Sequence, residues 1–167
     1  MLLSLIAASA VAAPGAGAAA KDPTTAVRCS LRTYAIAPQS SLGTANCKGV
    51  LGRGTERDAP TITRSSPTSG TLKGTFKLFF DRGAISGTYR LRFAPATAPA
   101  TGLAYTGTLR VTRGTADFRS VRGTGEITGA GAADMLKLRL RYDLRLTKLP
   151  ASDPFAEFCR LNPGACH

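Results

Sequence analysis

The sequence predicts an all-β protein, an eight-stranded antiparallel β-barrel with a short C-terminal helix, and three observations point there. Apolar and polar residues alternate with a period of two over long stretches, which a helix with one apolar stripe does not produce. Glycines recur at the inward positions of those stretches, where they mark bends or close approaches and so let a sheet curve. The strand candidates total about eight, the number at which a closed barrel is just filled by side chains or holds one small ligand.

The elements follow in order. Residues 1–20 carry no charge, and their apolar start is too short to span a bilayer comfortably. Ala18-Ala19-Ala20 before Lys21 supplies a small-residue cleavage site, so this segment reads as a secretory signal peptide that lacks only a basic start. One barrel domain is expected over residues 21–167, long enough to bury a sizeable core without metal or oligomer. No transmembrane segment is expected in that mature chain. The first strand is expected over residues 27–36, and residues 37–46, rich in Pro, Gly, Ser and Thr, read as a loop. A short strand over 47–51, a polar connection over 53–59 and a short strand over 61–64 come next. Residues 71–84 and the alternation Ile85, Gly87, Tyr89, Leu91, Phe93 read as a hairpin turning at Arg82-Gly83. That turn sets Leu78 opposite Gly87 and Gly74 opposite Leu91, and a slip of one residue would turn every apolar side chain to the wrong face. Residues 94–102 form a Pro- and Ala-rich loop suited to a barrel mouth. Strands follow at Tyr105, Gly107, Leu109, Val111 and over 123–129. The longest alternation sets Leu136, Leu138, Leu140, Tyr142, Leu144 and Leu146 against Lys137, Arg139, Arg141, Asp143, Arg145 and Thr147. At the end, Asp153 reads as an N-cap with Pro154 at the first helical position, and Asn162-Pro163-Gly164 stops the helix.

Four cysteines, an even number in an exported chain, indicate disulfides, and three pairings are open. The preferred pairing joins Cys29 to Cys47, tying the first strand to the next segment, and Cys159 to Cys166, closing a small terminal loop. Their spacing does not match a structural zinc site, and no metal or other cofactor is expected. The chain has no Trp, one His at position 167, and three Glu (Glu56, Glu126, Glu157), which leaves little for nucleophilic triads or common acid–base sites. The carboxylates considered for chemistry are Asp81, Asp117, Glu126, Asp134 and Asp143. Asp81 falls on the expected turn and Asp143 on an outward face, as solvated groups do.

Between Tyr105 and Gly129 a strand ends in Gly114-Thr115, Phe118 follows, and Arg122-Gly123-Thr124-Gly125 opens another strand. This resembles the Gly-Gly-Thr-Gly-x-Phe-x-x-Ala-x-Gly segment of dirigent proteins and the related allene oxide cyclase-like barrels, over roughly residues 71–147. Arg113 and Ala116 replace two of the family's usual glycines, and Val121 stands where a small residue is common. The resemblance implies an eight-stranded antiparallel barrel with an apolar central cavity. It also implies that some members steer phenoxy-radical coupling or cyclisation with a few acidic and basic residues, none of which has a matched position in this chain.

Two surfaces carry the functional expectation. Phe76, Tyr89, Phe93, Tyr105 and Tyr142 face inward and compose an apolar wall with hydroxyls able to orient a small hydrophobic ligand, though the same side chains also suit a packed interior. Arg90, Arg92, Arg110, Arg139, Arg141 and Arg145, with Lys137, face outward on a chain of net charge +12, as expected of a protein attracted to anionic lipid headgroups or acidic envelope polymers. Few outward aromatics for base stacking, together with export, disfavour nucleic acid. The expected protein is secreted, periplasmic or envelope-associated and binds a small apolar ligand without catalysis. The alternatives are a cyclase-, isomerase- or dirigent-like enzyme acting in the cavity, and an envelope protein held through its basic face.

Overall fold

The computed structural model describes residues 23–151 together with Cys159, Asn162 and Gly164. The expected signal peptide over 1–20, the helix beginning at Asp153 and the cysteine at position 166 lie outside the described residues. Eight strands run in chain order: β1 (Thr24–Ala37), β2 (Ser40–Cys47), β3 (Arg53–Ser66), β4 (Ser69–Phe80), β5 (Gly83–Pro95), β6 (Leu103–Gly114), β7 (Arg122–Gly131) and β8 (Lys137–Thr147). Each pairs antiparallel with the next, and β1 pairs with β8 from Thr24 opposite Thr147 to Tyr34 opposite Lys137, so the sheet closes into a barrel. Closure leaves no exposed edge for another chain to extend. The outer wall carries Arg and Thr while the apolar side chains point inward, the reverse of a barrel that spans a bilayer. No helix among the described residues is long and apolar enough to cross a membrane.

Three expectations about the first half are corrected. Residues 37–46 are not a loop, because Ser40–Cys47 is β2, with Ser41, Ala45 and Cys47 turned inward. Those inward residues are small, so the strand has no large apolar period to betray it. The expected strand over 47–51 is a 3-10 turn at Gly49–Leu51, where Gly49 and Gly52 take φ of 69° and 66°, a region open to glycine at little steric cost. The polar connection over 53–59 is the first half of β3, and it carries Glu56 and Asp58 into the interior.

A fourth correction concerns the β4–β5 hairpin, which turns at Asp81-Arg82, one residue earlier than expected. The register therefore shifts by two, which keeps every side chain on its expected face but changes its partner. Gly74 now faces Tyr89, Phe76 faces Gly87, and Phe80 faces Gly83. The pairing of large side chains with glycines is tighter than in the expected register, because each aromatic ring lies over a position without a Cβ. A Cβ built on Gly87 would stand 3.1 Å from the Phe76 ring, and one on Gly74 would stand 2.9 Å from the Tyr89 hydroxyl.

The disulfide between Cys29 and Cys47 is present, joining residues that lie opposite each other in the β1–β2 ladder. Cys159 is also disulfide-bonded. One barrel end is plugged by Phe118 from the Ala116–Phe118 turn, fully buried with its ring edge-on to Phe80 at 6.0 Å between centroids. The other end, formed by the β1–β2, β3–β4, β5–β6 and β7–β8 connections, is here called the mouth.

Candidate functional site

The barrel interior holds a polar cluster built on β3. Alternation along Arg53-Gly-Thr-Glu-Arg-Asp sends Arg53, Thr55 and Arg57 outward, and therefore sends Glu56 and Asp58 inward, where they are 1% and 9% exposed. The Thr33 hydroxyl on β1 donates to Glu56 Oε2 at 2.7 Å, and the Tyr142 hydroxyl on β8 donates to Oε1 at 2.7 Å. The Ser41 hydroxyl on β2 donates to Asp58 Oδ1, and the Tyr89 hydroxyl on β5 donates to Oδ2 at 3.3 Å. Five strands thus contribute to one network.

Burial raises the Glu56 carboxyl to about 7, against the lowering effect of the Tyr142 and Thr33 hydroxyls and with some help from the Asp58 charge. Asp58 is raised for the same first reason, opposed by Ser41 and Tyr89. Burial, and then the neighbouring carboxylates, push both tyrosines upward, so they stay protonated donors. Two carboxyls that share a low-dielectric interior resist ionising together. Near neutral pH the cluster therefore holds a proton that Glu56 can give or take.

The five expected wall residues are all inward and buried. Tyr89 and Tyr142 belong to the carboxylate network, and Phe76 packs edge-on to Tyr142 with ring centroids 6.3 Å apart. Phe93 and Tyr105 stack in a tilted arrangement at 6.1 Å near the mouth. Above them Arg64 from β3 lies 5.8 Å from the Phe93 ring centroid, and its Nη2 donates to the Met135 sulfur at 3.3 Å, joining the β3–β4 and β7–β8 sides of the mouth. The Tyr105 hydroxyl beneath is buried and has no hydrogen-bond partner among the described residues. Burial pushes it up to about 12, with Arg64 lowering it and Asp134 raising it.

The expected basic residues are exposed on the outer wall, but the register divides them. Arg90, Arg110 and Arg145 line a concavity of about 610 Å³ that also contains Glu126 and Asp143. Arg139 and Arg141 line another of about 670 Å³ with Arg32 and Arg53 and no carboxylate. Arg92 stands opposite Thr71 on one side and Thr106 on the other. Arg141 is tied to Asp143 at 2.8 Å, and Arg28 reaches the same carboxylate at 2.8 Å, which holds it below its ordinary range. Among the carboxylates considered from sequence, Asp117 pairs with Arg82 at 2.8 Å and Asp134 accepts the Leu136 N–H at 2.9 Å.

Glu56 and Asp58 were absent from the expected site, because a run of charges was read as a solvated connection. The signal that identifies them is the alternation of basic residues with Thr on the outward faces of β5, β6 and β8: Arg53, Thr55 and Arg57 continue it, which leaves the acids on the other side. Comparison with protein-family models, curated proteins and solved structures finds no match to this chain.

Proposed function

We propose that this is an exported barrel that binds a small, mainly apolar molecule carrying one hydrogen-bonding group, admitted at the mouth above Phe93 and Tyr105. The observation that carries the reading is the buried, unpaired Tyr105 hydroxyl. An unmet buried donor costs about 1–3 kcal/mol, which a ligand acceptor would recover. The aromatic floor supplies apolar contact, and room for the ligand comes from a swing of Arg64 and Met135, which meet through one N–H to sulfur contact. The disulfide supports export to an oxidising compartment, as does the apolar start of the sequence. The closed eight-stranded barrel agrees with the proposed kinship to dirigent and allene oxide cyclase-like proteins.

One observation favours a catalytic second reading. A buried carboxyl that titrates at about 7 is suited to move a proton at neutral pH, as an isomerase or cyclase in this barrel would require.

The mouth reading is tested with 1-naphthol, an apolar body with one hydroxyl, followed by its fluorescence. Tyr105→Phe is expected to leave the free protein as stable as wild type or about 1 kcal/mol more stable, because an unpaired hydroxyl is removed. It is also expected to weaken 1-naphthol binding about five- to tenfold, the worth of one hydrogen bond. Binding unchanged in Tyr105→Phe would sink the mouth reading. Native mass spectrometry of the protein from its own host, with organic extraction, then identifies the natural occupant.

A further inference from the structure

Five of the six large apolar side chains exposed among the described residues lie at the mouth end: Tyr34, Ile36, Leu42, Ile62 and Leu136, with Phe79 alone at the other end. Tyr34, Ile36 and Leu42 lie along the outside of β1 and β2, and Leu136, expected from the alternation to face inward, is 54% exposed at the rim just before β8. Tyr34 stands opposite Leu42 across the β1–β2 ladder, and opposite Lys137 across β1–β8. The Ala35 N–H donates to the Leu136 carbonyl at 3.0 Å, which sets Leu136 opposite Ala35 at the rim of the mouth, one residue along the chain from Tyr34 and Lys137 on each strand. Ile36 sits at the irregularity between Ala35 and Ala37, where the ladder skips a residue, and is 59% exposed.

A ring of positive charge adjoins this patch. Arg32 and Arg139 are directly opposite each other across β1–β8, and neither has an ion pair among the described residues. Like charges directly opposite each other in a ladder repel, and an anion between them removes the repulsion. Together with Tyr34 and Lys137 they line a concavity of about 400 Å³ that contains no carboxylate. The nearest acid in sequence, Asp134, is turned toward the Leu136 backbone.

From this juxtaposition we infer that the mouth end of the β8–β1–β2 wall docks on an anionic lipid bilayer. Tyr34, Ile36, Leu42 and Leu136 enter the headgroup boundary, while Arg32, Lys137 and Arg139 engage phosphate. Apolar insertion flanked by cationic side chains is the pattern of a surface-bound protein, and each basic residue near an anionic leaflet contributes about 1 kcal/mol. An acidic polymer would engage the arginines but leaves the apolar residues without a role, so the bilayer is the partner that accounts for both. The inference does not depend on a ligand in the interior.

The test is sedimentation of the protein with vesicles of phosphatidylcholine alone, or of phosphatidylcholine mixed with phosphatidylglycerol. Binding is expected only to the mixed vesicles and to weaken with added salt. The double variant Ile36→Ser/Leu136→Ser should lose affinity on the order of tenfold or more, since each side chain buries apolar area in the boundary. Arg32→Ala/Arg139→Ala should lose roughly thirtyfold, the sum of two surface charges. All variants carry the wild-type N-terminus, so residues 1–20 contribute equally, and the substituted positions are exposed, so circular dichroism should show an intact barrel. Vesicle binding retained in full by the serine variant would reassign the face to polyanion attraction alone. A wild type that ignores mixed vesicles but self-associates through Ile36 and Leu136 would make it a contact between copies, and either result overturns the proposal.

Discussion

Glu56 is the residue whose environment departs furthest from what its type prefers, and pH is the way to see it. In the unfolded chain its carboxyl ionises near the ordinary 4.5, whereas the folded protein holds the proton to about 7. The folded state binds more protons across that window, so this group's contribution to stability falls as pH rises from about 4.5 to 7 and is constant above. At 1.36 kcal/mol per pKa unit the loss is about 3 kcal/mol. Asp58, also raised, acts in the same direction starting from a lower pH. Asp143, which is lowered, contributes stability that is lost only as pH falls through the acid range below 3.8, outside the Glu56 window. Glu56→Gln keeps the shape and hydrogen-bonding capacity of the protonated carboxyl. Urea unfolding at several pH values should therefore show the wild type losing about 3 kcal/mol relative to Glu56→Gln between about pH 4.5 and 7. Parallel curves for the two proteins would mean that Glu56 is ionised and comfortable in the fold. The residue types were legible from the start; the burial was not, because it depends on four hydroxyls arriving from β1, β2, β5 and β8.

At the scale of elements, strands with large inward residues announced themselves and strands with small ones did not. β8, with leucines and a tyrosine at every second position, is visible without any structure. β2 and the start of β3 are hidden, since Ser41, Gly43, Ala45, Gly54, Glu56 and Asp58 give no apolar period. The β4–β5 register illustrates a finer limit. Alternation determines the face of a side chain but is blind to a shift of two, so only the turn decides whether Gly74 meets Leu91 or Tyr89. The observed pairing makes a specific claim. Gly74→Ala would place a Cβ against the Ala59 carbonyl of β3 and 2.9 Å from the Tyr89 hydroxyl, straining the β3–β4 ladder and pressing the hydroxyl away from Asp58. Destabilisation of about 1–3 kcal/mol is expected, as for other overpacked cores, measured from the shift in urea midpoint. In the expected register the same substitution would crowd Leu91 instead and leave the Tyr89 hydroxyl undisturbed. Double mutation with Tyr89→Phe distinguishes the two, because the effects couple only if the groups touch.

The whole molecule is held by closure, with β1 pairing on both sides, to β2 and to β8. The Cys29–Cys47 disulfide covers the first of those ladders and closes a loop of 18 residues in the unfolded chain. Replacing both cysteines by alanine should lower stability by about 3 kcal/mol, read from chemical unfolding under oxidising conditions, while the far-ultraviolet spectrum keeps its β signature. The amino-acid sequence alone determined the β class, the inward and outward faces of β1, β4, β5, β6 and β8, the basic exterior and the preferred Cys29–Cys47 pairing, while its count of about eight strands matched only because residues 47–51 stood in for the missed β2. These follow from period-two alternation and from counting, which need only neighbours along the chain. Tertiary structure decided the rest: the strand identity of residues 40–47 and 53–59, the two-residue register of the β4–β5 hairpin, the meeting of Glu56 and Asp58 with their hydroxyls, and the grouping of the arginines into one concavity lined also by carboxylates and others lined by none. Each depends on which residues stand opposite one another across strands. A closed barrel sets those partners only when the last strand meets the first.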